Sequence, residues 1–222
     1  MRDNYRDELN ATTELIVTVA GLVRTAVQDA TTALVTADLT VAERVISGDA
    51  RIDELTKEIE QRSFQLLARQ APVAGELRTV VAVLRMSYSL DRMGDLAAHI
   101  AKIARLRYPE VAAPEPIADQ IKQMAETADS MIATAITTLE NRDAEAAAGL
   151  ATADSKMDEL RSDQFHLLLS DDWEYGVEKA VDTALLGRYY ERIADHAVAM
   201  GARTIYIVTG EAPEGENWPS SF

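Results

Sequence analysis

The sequence repeats itself over about half its length, and that feature limits the fold more than any other. Ala33-Leu34 ahead of Asp38 is matched 105 positions later by Thr138-Leu139 ahead of Asp143. At the same offset, Asp49-Ala-Arg-Ile-Asp53-Glu-Leu55 aligns with Asp154-Ser-Lys-Met-Asp158-Glu-Leu160. Beyond the next turn the offset becomes 100, and Asp91-Arg-Met-Gly-Asp95 aligns with Glu191-Arg-Ile-Ala-Asp195. A period this long marks a duplicated bundle, not a short solenoid repeat. Chance likeness between amphipathic helices is the alternative, and four acids falling in register speak against it.

Each copy reads as three helices. Leu9, Ile16, Ala20, Val23, Val27, Ala30 and Leu34 recur at three-to-four spacing and predict a helix over about 7–37. Val41, Val45, Ile52, Leu55, Ile59 and Leu66 predict a second, to about Arg69, with a weak point at Ser47-Gly48-Asp49 that could kink it. Gln70-Ala71-Pro72 reads as a turn, and Pro72 predicts a third helix from near Val73 to about Tyr108. Three prolines between Pro109 and Pro116 mark the linker, and helices follow over about 117–141, 143–170 and 174–209. Helices of about 30 residues span roughly 45 Å, and short turns force neighbours antiparallel. The expectation is therefore all-α: two pseudo-symmetric antiparallel three-helix bundles, over 1–110 and 116–210, with 211–222 as a loose tail.

Composition agrees with this reading. Apolar residues make up 47% of the 222, but only 5% are aromatic and alanine dominates, which suits close helix packing and disfavours a β-sandwich. With no cysteine, thiol chemistry and zinc ribbons drop out. The start, Met1-Arg2-Asp3-Asn4-Tyr5, has no apolar h-region, and no stretch approaches the ~18 apolar residues of a membrane span. A cytoplasmic protein without membrane insertion is expected. A formal charge of −15 argues against nucleic acid, whose phosphates require Lys and Arg clusters.

The acids in the repeats are the candidate site. Asp91 and Asp95 are four apart and so share a helix face, on an arc with Leu77, Val80, Leu84 and Ala98. Glu191 and Asp195 share theirs with Val177, Ala180, Ala184, Val198 and Ala202. Carboxylates on a core-facing arc are costly unless they are paired or bind a metal. With a turn near Ala71, antiparallel packing levels Asp91 and Asp95 with Asp49 and Asp53. A turn near Asp172 levels Glu191 with Asp154 and Asp158. Oxygen clusters of this kind suit divalent or iron-type metal ions. The competing reading is a set of solvated acids, or acids paired with Arg92, Arg188 and Arg192. His99, four residues after Asp95, could be a further ligand or an interfacial hydrogen-bonding group, and His196 and His166 read as structural. No Ser-His-Asp signature, Gly-rich phosphate loop or nucleophile elbow appears.

At Leu66-Leu-Ala-Arg-Gln-Ala-Pro-Val-Ala74, Asp91-Arg-Met-Gly-Asp-Leu-Ala97, His99-Ile-Ala-Lys-Ile-Ala104 and Tyr190-Glu-Arg-Ile-Ala-Asp-His-Ala197 the sequence resembles the PhoU family of phosphate transport and signalling regulators. The resemblance runs from Arg2 to about Glu211 and implies two pseudo-symmetric three-helix bundles. It also implies metal binding at Asp91, Asp95, Glu191 and Asp195, although His99 and Met200 stand where many members carry asparagine. It further implies a cytoplasmic regulator, not an enzyme, linking the phosphate transporter's ATPase subunit to a sensor histidine kinase. A homodimer is expected. Two other functions compete: a carboxylate-bridged dinuclear metalloenzyme, whose usual Glu-x-x-His pairs are missing here, and a metal-free helical scaffold.

Overall fold

The computed structural model describes residues 2–69, 72–113, 115 and 117–211. These form six helices and, among the described residues, no strand: α1 (Arg2–Thr36), α2 (Leu39–Arg69), α3 (Gly75–Arg107), α4 (Ile117–Asn141), α5 (Ala144–Leu168) and α6 (Gly176–Thr209). The all-α, six-helix expectation holds. The first helix begins several residues earlier than its apolar stripe suggests. α2 runs unbroken through Ser47-Gly48-Asp49, with Ser47 Oγ bonding back to the Glu43 carbonyl at 2.8 Å. Most of the turn at Gln70-Ala71 and all but the first residue of the expected 211–222 tail lie outside the described residues.

The repeat reappears in the helix ends. Ala37 closes α1 with φ 52° and Arg142 closes α4 with φ 54°. Each is followed by an aspartate that caps the next helix: Asp38 Oδ1 accepts from the Val41 amide at 3.0 Å, and Asp143 Oδ1 from Ala146 at 2.9 Å. The aspartate oxygen takes up one of the amides that a helix start leaves unbonded. The same stop-and-restart is thus used twice, 105 residues apart.

Within each half the helices are antiparallel. Thr56 meets Asp91 while the earlier Asp49 meets Gly94, and Gln164 meets Gly187 while the earlier Leu150 meets Gly201. α2 packs on α1 and α3, α5 packs on α4 and α6, and the halves join through α1 against α4 and α3 against α6. The result is a slab: four inner helices with α2 on one outer side and α5 on the other. One hydrophobic core runs through both halves, from Ile16, Val23 and Leu34 to Met124, Ile132 and Ile193. Even the proline-rich linker contributes, burying Ala112 and Ala113. One close approach between α5 and α6 relies on glycine: a Cβ at Gly201 would stand 2.6 Å from Leu150 Cδ1 and 3.0 Å from the Ala147 carbonyl.

Candidate functional site

The slab changes where the acids point. The buried face of α6 is Leu186, Tyr190, Ile193, Ala194 and Ala197, because α6 must pack on α3 and α4 as well as on α5. On α6 the arc expected to be a core face is a rim, with Val177 81% exposed, whereas on α3 Val80 and Ala98 of the corresponding arc are buried. Asp91, Asp95 and Glu191 are therefore half-buried along the outer seams, and Asp195 is exposed.

In the seam between α2 and α3 the levelled carboxylates lie near enough to feel one another's charge. Asp49 feels Asp95, Asp53 and Asp91. Burial first, then the charges of Asp95 and Asp53, push the Asp49 carboxyl up to about 6, against the pull of Lys102. Its Oδ1 is buried without a hydrogen-bond partner. Gly94 makes room for it, since a Cβ there would lie 3.0 Å from that oxygen and 3.1 Å from Ile52. Asp91 accepts from Thr56 Oγ1 at 3.2 Å, and burial raises its carboxyl more than that bond lowers it. Asp95 pairs with Arg92 at 2.8 Å.

The seam between α5 and α6 repeats the plan with different neutralisation. Asp154 is raised by burial first and then by Asp158, Asp195 and Glu191; Asp195, exposed as a residue, still has its carboxyl raised by partial desolvation in the seam and then by Glu191. Where the first half has Thr56, the second has Arg161, whose Nε lies 3.4 Å from Glu191 Oε2. Arg188 adds a second contact to Glu191 at 2.6 Å. The second seam thus has two guanidiniums on one acid, and the first has none on Asp49 or Asp91 among its ion pairs.

As the side chains stand, no three His, Cys, Asp or Glu groups among the described residues are close enough together to hold a metal ion. They couple through space without forming a finished cage. The donor set fits a hard cation best in the first seam, where a buried carboxylate oxygen lacks a partner. His99 turns instead toward α6 and stacks on Tyr189 with ring centroids 5.4 Å apart. His196 is half-buried, and burial followed by Arg192 and Arg92 pushes its imidazole down to about 4.

Three features escape the sequence reading. Gly94, lying inside the D-x-x-x-D motif, was legible as a small residue but not as the cradle for Asp49. Arg161 carried no signal beyond its place opposite Thr56 in the repeat. Asp182, buried and bonded to Arg107 Nε, is an acid outside any motif.

A three-helix unit repeated in one chain, sharing one core and carrying a carboxylate seam on each outer side, defines a duplicated helical-bundle protein. The PhoU domain model matches it twice, over residues 16–104 and 121–204. The chain belongs to the PhoU family. It is 41% identical over 221 residues, covering all of both chains, to the Mycobacterium leprae "Phosphate-specific transport system accessory protein PhoU homolog 1". It is 42% identical over 213 residues to the Mycobacterium tuberculosis homolog 2, covering 96% of this chain and 100% of that one. PhoU from Pseudomonas aeruginosa superposes with a TM-score of 0.88 at 25% identity, over 93% of this chain and 100% of that chain. The phosphate transport system regulatory protein PhoU from Streptococcus pneumoniae gives 0.84 at 26% identity, over 93% and 98%.

Proposed function

We propose that this chain is an accessory protein of a phosphate transport system, working in the cytoplasm by binding proteins and not by catalysis. Its partners are the transporter's ATPase subunit and a sensor histidine kinase, and it acts as a homodimer that restrains uptake and starvation signalling when phosphate is plentiful. The observation that carries this reading is full-length likeness, through both repeats, to relatives named as accessories of phosphate transport. Among the described residues no helix is long and apolar enough to cross a membrane, which suits a protein that reaches a transporter through its peripheral subunit.

The metal part of the proposal rests on the first seam. Asp49, Asp53, Asp91 and Asp95 offer a hard divalent or iron-type cation four carboxylates, and the orphaned Asp49 Oδ1 supports a cation there. When bound, such an ion neutralises repulsion and fixes α2 against α3. A metal-free reading is favoured for the second seam, where Arg161 and Arg188 already compensate Glu191.

Deleting the gene tests the regulatory role: phosphate-starvation output becomes constitutive, and output unchanged from the parent would sink it. Co-purification with the ATPase subunit and the kinase tests the adaptor role, and sedimentation tests the dimer. Elemental analysis of protein purified without chelator tests the metal. Asp49→Asn with Asp91→Asn lowers the content, whereas Glu191→Gln with Asp195→Asn leaves most of it.

A further inference from the structure

At the end of the slab where α1 and α3 begin and α4 and α6 finish, a cavity of about 560 Å³ has, among the described residues, Arg6, Arg78, Arg142 and a single acid, Glu76, as its charged lining. Three guanidiniums against one carboxylate reverse the sign of a chain whose net charge is −15. Arg6 lies 3.5 Å from Glu76. Neither Arg78 nor Arg142 joins an ion pair among the described residues, although 37 acids are available in the sequence.

Arg78 is laid across two glycines. Its guanidinium carbon comes within 3.4 Å of where a Cβ of Gly210 would stand, and one terminal nitrogen within 3.7 Å of that of Gly75. Its Nε is buried without a hydrogen-bond partner, an arrangement that costs free energy and that the fold nonetheless keeps. Gly75, at the start of α3, also lines the cavity, and the residue before it, Ala74, has no side chain that can cap the helix. The positive end of the helix dipole therefore adds to the guanidinium field.

The duplication separates what the scaffold needs from what this end has acquired. The repeat partner of Arg78 is Glu178, which is bonded to Arg107, and the repeat partner of Arg142 is Ala37, in the same backbone conformation. The same unit folds with an acid at one of these places and a methyl group at the other. Neither guanidinium is required by the three-helix plan, yet both line one cavity with Arg6.

We propose that this end cavity binds a small phosphate-bearing anion, either inorganic phosphate or a phosphomonoester, through Arg78 and Arg142 with Arg6 at the rim. Planar guanidiniums offer paired N–H donors that match phosphate oxygens, and two guanidiniums without an ion-pair partner among the described residues suit a dianion better than a monocarboxylate. The site is separate from the carboxylate seams and does not depend on a metal.

Calorimetric titration of the full chain, stripped with chelator, tests this with inorganic phosphate, AMP and acetate as probes. Saturable binding of phosphate or AMP is expected, and the tighter of the two identifies the source of the anion. Loss of one charge-assisted contact weakens binding about tenfold or more in Arg78→Gln and in Arg142→Gln. Arg142 is exposed, so its variant keeps the parental melting temperature. Asp91→Asn binds as the parent does. Absence of binding by both phosphates, equal binding of acetate, undiminished binding in Arg142→Gln, or an equal loss in Asp91→Asn overturns the proposal.

Discussion

Arg24 and Asp129 stand at equivalent positions of the two halves, 105 residues apart, and grip each other where α1 crosses α4. Arg24 Nε donates to Asp129 Oδ1 at 2.7 Å and Nη2 to Oδ2 at 2.8 Å, and Gln28 Nε2 also donates to Oδ1 at 2.7 Å. A residue that meets its own repeat partner lies on the pseudo-two-fold axis. In a dimer of identical units that position would meet itself, setting arginine against arginine or aspartate against aspartate. Fusion of the units in one chain allows the two sides to become complementary.

This pair is partly exposed, 40% at Arg24 and 24% at Asp129, so solvent screening keeps its worth small. Asp129→Ala is expected to cost about 1 kcal/mol in urea unfolding, and the swap of Arg24→Asp with Asp129→Arg to recover most of it. The hydrogen bonds from Arg24, then Gln28, hold the Asp129 carboxyl below its ordinary range despite burial. Its contribution is therefore present above the ordinary carboxylate range and fades only as pH falls through the lowered value. A swap variant no more stable than the single variant would show that the pairing does not matter.

Arg107 and Asp182 form the second bridge between halves, from the last turn of α3 to α6. The side chains are 18% and 7% exposed. Asp182→Ala leaves a sheltered guanidinium short of its partner and is expected to cost about 3 kcal/mol. Glu178, the outer partner of the same arginine, is 74% exposed, and its removal costs at most about 1 kcal/mol. Equal losses from the two variants would contradict this ranking.

Asp49 makes the metal-free protein sensitive to pH. A carboxyl whose folded value is raised from 3.8 to about 6 favours the folded state only while protonated, so its contribution falls as pH climbs through that window. With chelator present, Asp49→Asn is expected to melt above the parent at pH ~7 and level with it at pH ~4. Millimolar Mg²⁺ or Mn²⁺ should raise the parent and not the variant. A parent that melts higher than the variant under chelator at neutral pH would be incompatible with an Asp49 carboxyl held up by burial and by Asp95 and Asp53.

His196 should stay neutral well below the pH at which a free imidazole protonates. Its folded value of about 4 lies below the unfolded 6.5, so stability is lost as pH falls between them. Nitrogen chemical shifts at pH ~5.5 are expected to report a neutral ring. Arg92→Gln, which removes one of the two repelling cations, should move the midpoint upward. A ring already charged at that pH would mean that the pocket is open to water.

Much of the site was legible because it is local or periodic. Summed positions across a short turn level Asp49 and Asp53 with Asp91 and Asp95, and the structure sets Asp49 within electrostatic reach of the other three. Which side of the helix becomes the core was not legible. Both α3 and α6 carry apolar residues on more than one face, and the one that turned inward is the face holding Leu90 and Met93, or Tyr190 and Ile193. The choice belongs to the four inner helices together, since Tyr190 is fully buried and its hydroxyl shares a 2.8 Å hydrogen bond with Thr31 of the other half.

The amino-acid order alone settled the helical class, the duplication, and the paired helix ends at Ala37-Asp38 and Arg142-Asp143. Each of these follows from spacing along one chain or from hydrogen bonds within a few residues. Tertiary packing decided the rotation of each helix about its axis, and hence that the acids line outer seams. It also decided that Arg24 meets Asp129 and that Arg78 and Arg142 share one cavity. Those outcomes depend on burying one continuous apolar core across both halves, a sum over distant residues that no local pattern contains.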